Sequence, residues 1–195
     1  VKAEVEGEKW IIAKALANIF LSSVVEKKFN ILEEFNGSKL EGLEYEHPLY
    51  QELKEVYDNL KKQSKKVHTV LLSEEYVTTD AGSGLVHCAP GCGPEDFEVG
   101  KKYGIPAFNT LDEKGIFMDM PGLNGLKAKK DDSLINEKLK ELGNLIAQTE
   151  VEHEYPFCGR CHKPVIFRAT EQWFLKIEDL IEDMLKANAN IYWHP

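Results

Sequence analysis

The sequence predicts an α+β fold: a twisted, barrel-like sheet with peripheral helices. Three observations lead there. Short alternating apolar runs are broken by glycines at 7, 37 and 42. Segments of helical period fall between those runs irregularly, without the strict strand–helix alternation of a doubly wound sheet. The glycine-dense stretch GSGLVHCAPGCG (82–93) lacks the strand–GxGxxG–helix frame of a dinucleotide-binding turn. At 195 residues the chain can hold one well-buried core, or one core with a small appendage.

Taken in order, VKAEVEGEKWIIAKA (1–15) alternates and turns at Glu6-Gly7-Glu8, the pattern of a β-hairpin. ALANIFLSSVVEKKF (15–29) places apolar residues at helical spacing, and ILEEFNGSKLEGLEYEHPL (31–49) reads as strands and a turn. YQELKEVYDNLKKQSKK (50–66) is polar and amphipathic, and VHTVLLS (67–73) reads as a buried strand. Residues 84–89 read as a further strand, with His87 and Ala89 on one face and Val86 and Cys88 on the other. EDFEVGKKY (95–103) opens with acids after Pro94 and closes with lysines, the order a helix dipole favours. DDSLINEKLKELG (131–143) is a helix closed by Gly143. LIAQTEVEHEYPF (145–157) and PVIFRATEQWFLKI (164–177) read as two long strands around Cys158-Gly-Arg-Cys161, and IEDLIEDMLKANA (177–189) as a last helix.

The apolar fraction of 43% and charged fraction of 29% are those of an ordinary globular protein. The longest apolar candidate, ALANIFLSSVV (15–25), is too short to span a bilayer, and no secretory signal opens the sequence, so a cytoplasmic protein without a membrane partner is expected. A net charge of −9 excludes coating DNA by bulk electrostatics. The lysines are nonetheless grouped, as KKQSKK (61–66), KK (101–102) and KAKK (127–130). Each group reads either as a solvated face or as a local phosphate contact.

Four cysteines fall in two pairs, Cys88 with Cys92 and Cys158 with Cys161. Disulfides are not expected in a cytosolic setting. Cys158 and Cys161 have the spacing of half a zinc knuckle, with His153 and His162 nearby, but three residues separate Cys88 from Cys92 where a second CxxC would have two. Zinc at Cys158 and Cys161 is therefore the less favoured reading. The zinc deaminase signature is excluded, because Ala89 stands where its glutamate must be. Cys88 is disfavoured as a nucleophile because strand neighbours point to opposite faces, away from His87. His87 reads either as a core histidine or as a group presented to a cavity. Glu95 reads as a dipole partner at a helix start, and Asp96 as that or as one wall of a small polar pocket able to hold an ammonium group.

GSGLVHCAPGCGPEDFEVGKKYGIP (82–106) resembles the G-T-G-x-V-H-x-A-P-x-x-G-x-x-D-[FY] segment of isoleucyl-tRNA synthetases of the archaeal and eukaryotic type. EYPFCGRCHKPVIFRATEQWF (154–174) and GSKLEGLEYEHPL (37–49) resemble two further segments of that family, in the family's order. The resemblance implies the β-barrel-like editing insertion, which hydrolyses misformed Val-tRNA(Ile) without a cofactor. Its partners would be the tRNA(Ile) 3′ end carrying a misattached amino acid and the rest of the synthetase chain. His87 matches the motif histidine that meets the substrate's amino acid end, and Asp96 the aspartate that pairs with its α-ammonium group. Ser83 stands where most relatives have threonine, and Gly84 completes the substrate-binding loop. By this resemblance residues 1–155 form the editing domain, beginning after the family's threonine-rich segment, and 156–195 a β-ribbon and helix leading back to the catalytic domain. The HIGH and KMSKS signatures of amino acid activation are absent from these residues. A valyl-type editing domain is the nearest alternative, separated by the lysine that family places at the position of His87. A zinc-stabilised tRNA-docking module without chemistry is the alternative of a different class.

Overall fold

The computed structural model describes residues 1–150 and 152–194. The predicted hairpin is present. Strand β1 (Lys2–Val5) pairs antiparallel with β2 (Glu8–Ile11), with Lys2 opposite Ile11 and Val5 opposite Glu8. Glu6 and Gly7 lie at φ +50° and +91°, the two left-handed residues that a tight hairpin turn requires to match strand twist. β3 (Phe29–Glu33) adds to the other edge of β1, giving the order β2-β1-β3 with a bulge between Lys2 and Ala3.

Between β2 and β3 the chain makes α1 (Lys14–Asn18), which widens into a π-helical turn over Ile19–Val24. The helix expected to reach residue 29 stops there because Glu26 turns left-handed at φ +58°. One face of this segment buries Leu16, Ala17 and Leu21, of which Ala17 and Leu21 join Ala3, Val5 and Ile12 in a core under Trp10, Phe20 and Phe29. Full burial of one such leucine stabilises by about 1.5–3 kcal/mol.

A second core gathers Leu49, Leu53, Tyr57, Leu60, Val67, Met120 and Leu123. Tyr57 and Leu60 come from α2 (Lys54–Gln63), and Ile135 and Leu139 reach the core from α4 (Asp132–Glu141). α3 (Pro94–Tyr103) begins at Pro94, as expected, and ends at Gly104 in the left-handed conformation. A last helix, α5 (Ile181–Ala189), follows a 3-10 turn at Glu178–Leu180. Among the described residues no helix is long and apolar enough to cross a membrane.

The mixed α+β class is observed, with one small antiparallel sheet and five α-helices among the described residues. Several expected strands are not. Over 67–73 the chain makes one bridge, Thr69 to Glu44, and the left-handed His68 (φ +59°) interrupts any longer ladder. Residues 84–89 form no strand: they pair with no partner, and Gly84 is left-handed at φ +75°. The ribbon expected over 145–157 and 164–177 is reduced to a single bridge between Phe157 and Pro164; Val151 of the first segment lies outside the described residues, as does Pro195. Extended backbone becomes sheet only where a partner strand supplies the hydrogen bonds.

Candidate functional site

The glycine-dense loop is tied to the sheet at its start. The Ala13 N–H donates to the Ser83 carbonyl at 2.9 Å. The Ser83 hydroxyl accepts from the Leu85 N–H at 3.3 Å and donates to the Leu85 carbonyl at 3.2 Å, which fixes a local turn. Gly84 has two reasons to be glycine: its φ is +75°, and a β-carbon there would collide with the side chain of Ala13. Gly84 and Leu85 wall a cavity of about 570 Å³, with Ile12, Lys14, Glu34 and Phe35 across it. Of the four predicted site residues only Gly84 lines that cavity; Ser83, His87 and Asp96 do not.

His87 is exposed, and its ring meets the edge of His47 at a centroid distance of 5.9 Å. His47 in turn stacks on His68 at 5.4 Å, and Tyr57 packs against both, 4.8 Å from His47 and 4.7 Å from His68. The loop is thus docked by its histidine onto an aromatic cluster over α2. The expectation that Val86 packs behind His87 fails, since Val86 is 62% exposed. Alternation of faces holds only along a paired strand, and this segment is not one.

Protonation is disfavoured inside the cluster. Burial, and then the charges of His68 and His87, lower the His47 pKa to about 4. His47 Nδ1 accepts the Leu49 N–H at 3.1 Å, which assigns its proton to Nε2. Burial, then Lys61 and His87, lower His68 as well, and its Nδ1 is buried without a hydrogen-bond partner among the described residues.

Asp96 sits in the first turn of α3, where Gly93 is the extended cap residue and Pro94 the first helical one. Its carboxylate folds back over Gly93: a β-carbon there would lie 3.2 Å from Oδ2. The Cys88 thiol lies 3.8 Å from the Asp96 carbonyl, so Cys88, the chain neighbour of His87, links the two predicted site residues. Burial first, then the Asp96 carboxylate, push the Cys88 thiol up to about 11, and the same two causes raise Cys92. Thiols held in that state are poor nucleophiles at neutral pH. Behind them Gly91 is buried so closely against the Phe108 carbonyl that a side chain has no room, and its own carbonyl accepts from Asn109 Nδ2 at 2.6 Å and from the Ala169 N–H at 3.1 Å.

Cys158 and Cys161 share one tight turn, closed by the Cys158 N–H to the Lys163 carbonyl at 2.9 Å and the His162 N–H to the Cys158 carbonyl at 2.8 Å. The backbone N–H groups of Cys161 and then Arg160 lower the Cys158 thiol pKa. Among the described residues no three His, Cys, Asp or Glu side chains are arranged to hold a metal ion.

No protein-family model matches the chain. An isoleucine--tRNA ligase of Pyrococcus horikoshii is 43% identical over 201 residues, a match covering 100% of this chain and 18% of that protein. Those of Thermoanaerobacter sp. (38% over 194 residues) and Methanocaldococcus jannaschii (37% over 199 residues) match 99% and 100% of it. Over its whole length the chain belongs to a segment of the isoleucine--tRNA ligase family. It spans about 18–19% of the length of these curated relatives. Isoleucine--tRNA ligase homology settles the family behind the three motif segments, and the histidine cluster lies within what those motifs frame. His47 stands in GSKLEGLEYEHPL and His87 in GSGLVHCAPGCG. Sequence reasoning passed over His47 and His68. The signal was weak: two of only six histidines, each beside an aromatic or apolar segment and at no ligand-like spacing.

Proposed function

We propose that this chain is the editing part of an isoleucine--tRNA ligase, with a sheet belonging to a barrel-like editing module, and that it hydrolyses the ester of misacylated Val-tRNA(Ile). The observation that supports this most is the end-to-end match to isoleucine--tRNA ligases, in a chain where the thiol of Cys88, next to His87, lies 3.8 Å from the Asp96 backbone carbonyl and Gly84 braces the loop against Ala13. A second sieve is needed because one missing methylene is worth only about 1–3 kcal/mol of discrimination, a magnitude taken from this same family and not from the present geometry.

In this reading Asp96 accepts the α-ammonium group of the esterified amino acid, and its position at the start of α3 leaves one carboxylate face free of ion pairs among the described residues. His87 limits the room for the amino acid side chain, held in place by the edge of His47. Ser83 and Gly84 let backbone approach the terminal nucleotide closely. With Cys88 and Cys92 held as thiols, the attacking group is a positioned water, and rate comes from orientation more than from proton transfer. No cofactor enters the step. The test is deacylation of Val-tRNA(Ile) against Ile-tRNA(Ile) by the ligase carrying this chain; equal rates on both would sink the reading.

A second reading rests on the turn at Cys158 and Cys161, whose N–H groups favour a thiolate at Cys158. A turn of that kind suits one half of a structural zinc site, which would make this region a tRNA-docking module. Stoichiometric zinc by elemental analysis, with unfolding on chelation, would favour it.

A further inference from the structure

Two lysine runs that are far apart in sequence meet in space on one side chain. Lys66 Nζ lies 4.9 Å and Lys102 Nζ 5.7 Å from the centre of the Tyr103 ring. The ring is held firmly, because its hydroxyl donates to the Leu72 carbonyl at 2.7 Å and accepts the Leu72 N–H at 3.3 Å. Among the described residues the lysines in ion pairs are Lys14, Lys27, Lys54, Lys176 and Lys186; no carboxylate lies within pairing distance of Lys62, Lys65, Lys66, Lys101 or Lys102. Lys62, Lys101 and Lys102 occupy the last turns of α2 and α3, where the helix dipole gives them a structural reason. Lys65 and Lys66 lie beyond the end of α2 and have no such reason. The Lys66 and Lys102 ammonium groups thus meet on one ring with no described carboxylate in pairing distance, in a chain carrying −9 overall, an arrangement that an anion beside them would stabilise.

The patch also leads to the candidate site. The Lys66 carbonyl accepts both the N–H and the hydroxyl of Thr69, at 3.2 and 2.8 Å, which fixes the turn holding His68. His68 stacks on His47, and His47 meets His87. Lys61 stands apart, since it borders a depression shared with Glu44 and Glu46.

We infer that the Lys66–Tyr103–Lys102 surface contacts the phosphate backbone of tRNA and guides its 3′ end toward His87. This rests on the tRNA reading above. Binding of uncharged tRNA(Ile) is measured by fluorescence anisotropy across a KCl series, for the parent protein, K66Q/K102Q, K66R/K102R and the control K176Q/K186Q. Removing one phosphate-binding cation lowers the slope of log K against log salt by about 0.7–0.9, so K66Q/K102Q flattens it by roughly 1.4–1.8. The arginine pair restores the slope and the control leaves it unchanged. An unchanged slope in K66Q/K102Q, or an equal change in the control, overturns the assignment. A second arm uses 2′(3′)-O-valyladenosine, an ester without phosphates. K66Q/K102Q cleaves it at the parent's rate if these lysines touch only phosphate, and a loss of cleavage overturns that role. The salt slope decides the surface whether or not the parent cleaves the ester, so the surface and the editing reading fail separately.

Discussion

His47 and His68 stack with ring centroids 5.4 Å apart and planes 27° from parallel, and neither ring takes a proton readily in that arrangement. His47 is held near about 4 against an ordinary 6.5, through burial and then the neighbouring histidine charges, and His68 moves in the same direction. The unfolded chain therefore binds more protons than the folded one between about pH 6.5 and pH 4. Stability is fully present above the unfolded value and is lost as pH falls through that window. With allowance for solvent screening of half-exposed rings, the loss is about 1–2 kcal/mol. Urea midpoints measured from pH 7 to pH 4 should fall, and His47→Phe, which keeps the aromatic contact, should flatten the decline. An equal decline in that variant would show that the cluster is not its source.

Gly84 is predicted to resist substitution more than Gly82 in the same loop. Gly84→Ala forces a side chain into a left-handed residue and against Ala13 at once, while Gly82, also left-handed, has open space around it. The expected cost is about 1–3 kcal/mol for Gly84→Ala and about 1–2 kcal/mol for Gly82→Ala. Chemical denaturation with unchanged m-values measures both. Equal costs would remove the case for a brace between this loop and the sheet.

What could be read from the sequence was local. The hairpin turn at Glu6-Gly7 depends on two adjacent residues, and the helices on periodicity and end signals such as Pro94 and Gly143. The misassigned strands depended on partners elsewhere. Nothing within VHTVLLS announces that His68 turns left-handed, and nothing within 84–89 announces that Val86 faces solvent. The candidate site divides in the same way. His87 and Asp96 stood out by motif, but the ring that holds His87 comes from a segment forty residues earlier in the chain, and only folding brings His47 to it.

Asp96→Ala should leave the fold nearly intact, because a first-turn carboxylate contributes only about 0.3–1 kcal/mol through the helix dipole. It should abolish hydrolysis of misacylated tRNA in the ligase. It should also report on geometry directly. The Asp96 carboxylate is the second cause, after burial, of the raised Cys88 and Cys92 thiols, so removing it should shift their alkylation profiles to lower pH. Normal editing by the variant would refute the ammonium-binding role, and unshifted thiol profiles would refute the contact.

The sharpest prediction concerns His87. If its imidazole limits the space for the substrate side chain, His87→Ala opens that space by most of a ring, and the extra methylene of isoleucine should fit. Ile-tRNA(Ile) should then be deacylated alongside Val-tRNA(Ile). A general base would behave otherwise, since its loss slows cleavage of both esters by about 10²–10⁴-fold. The structure adds an independent readout. The His87 charge is one of the causes lowering His47, behind burial and His68, so its removal should raise the His47 pKa from about 4 by a modest amount, visible by NMR titration. A moved His47 titration with Ile-tRNA(Ile) still spared would keep the ring contact and discard the specificity role. An unmoved titration with Ile-tRNA(Ile) newly cleaved would keep the role and discard the docking of His87 on His47 as the device that holds it.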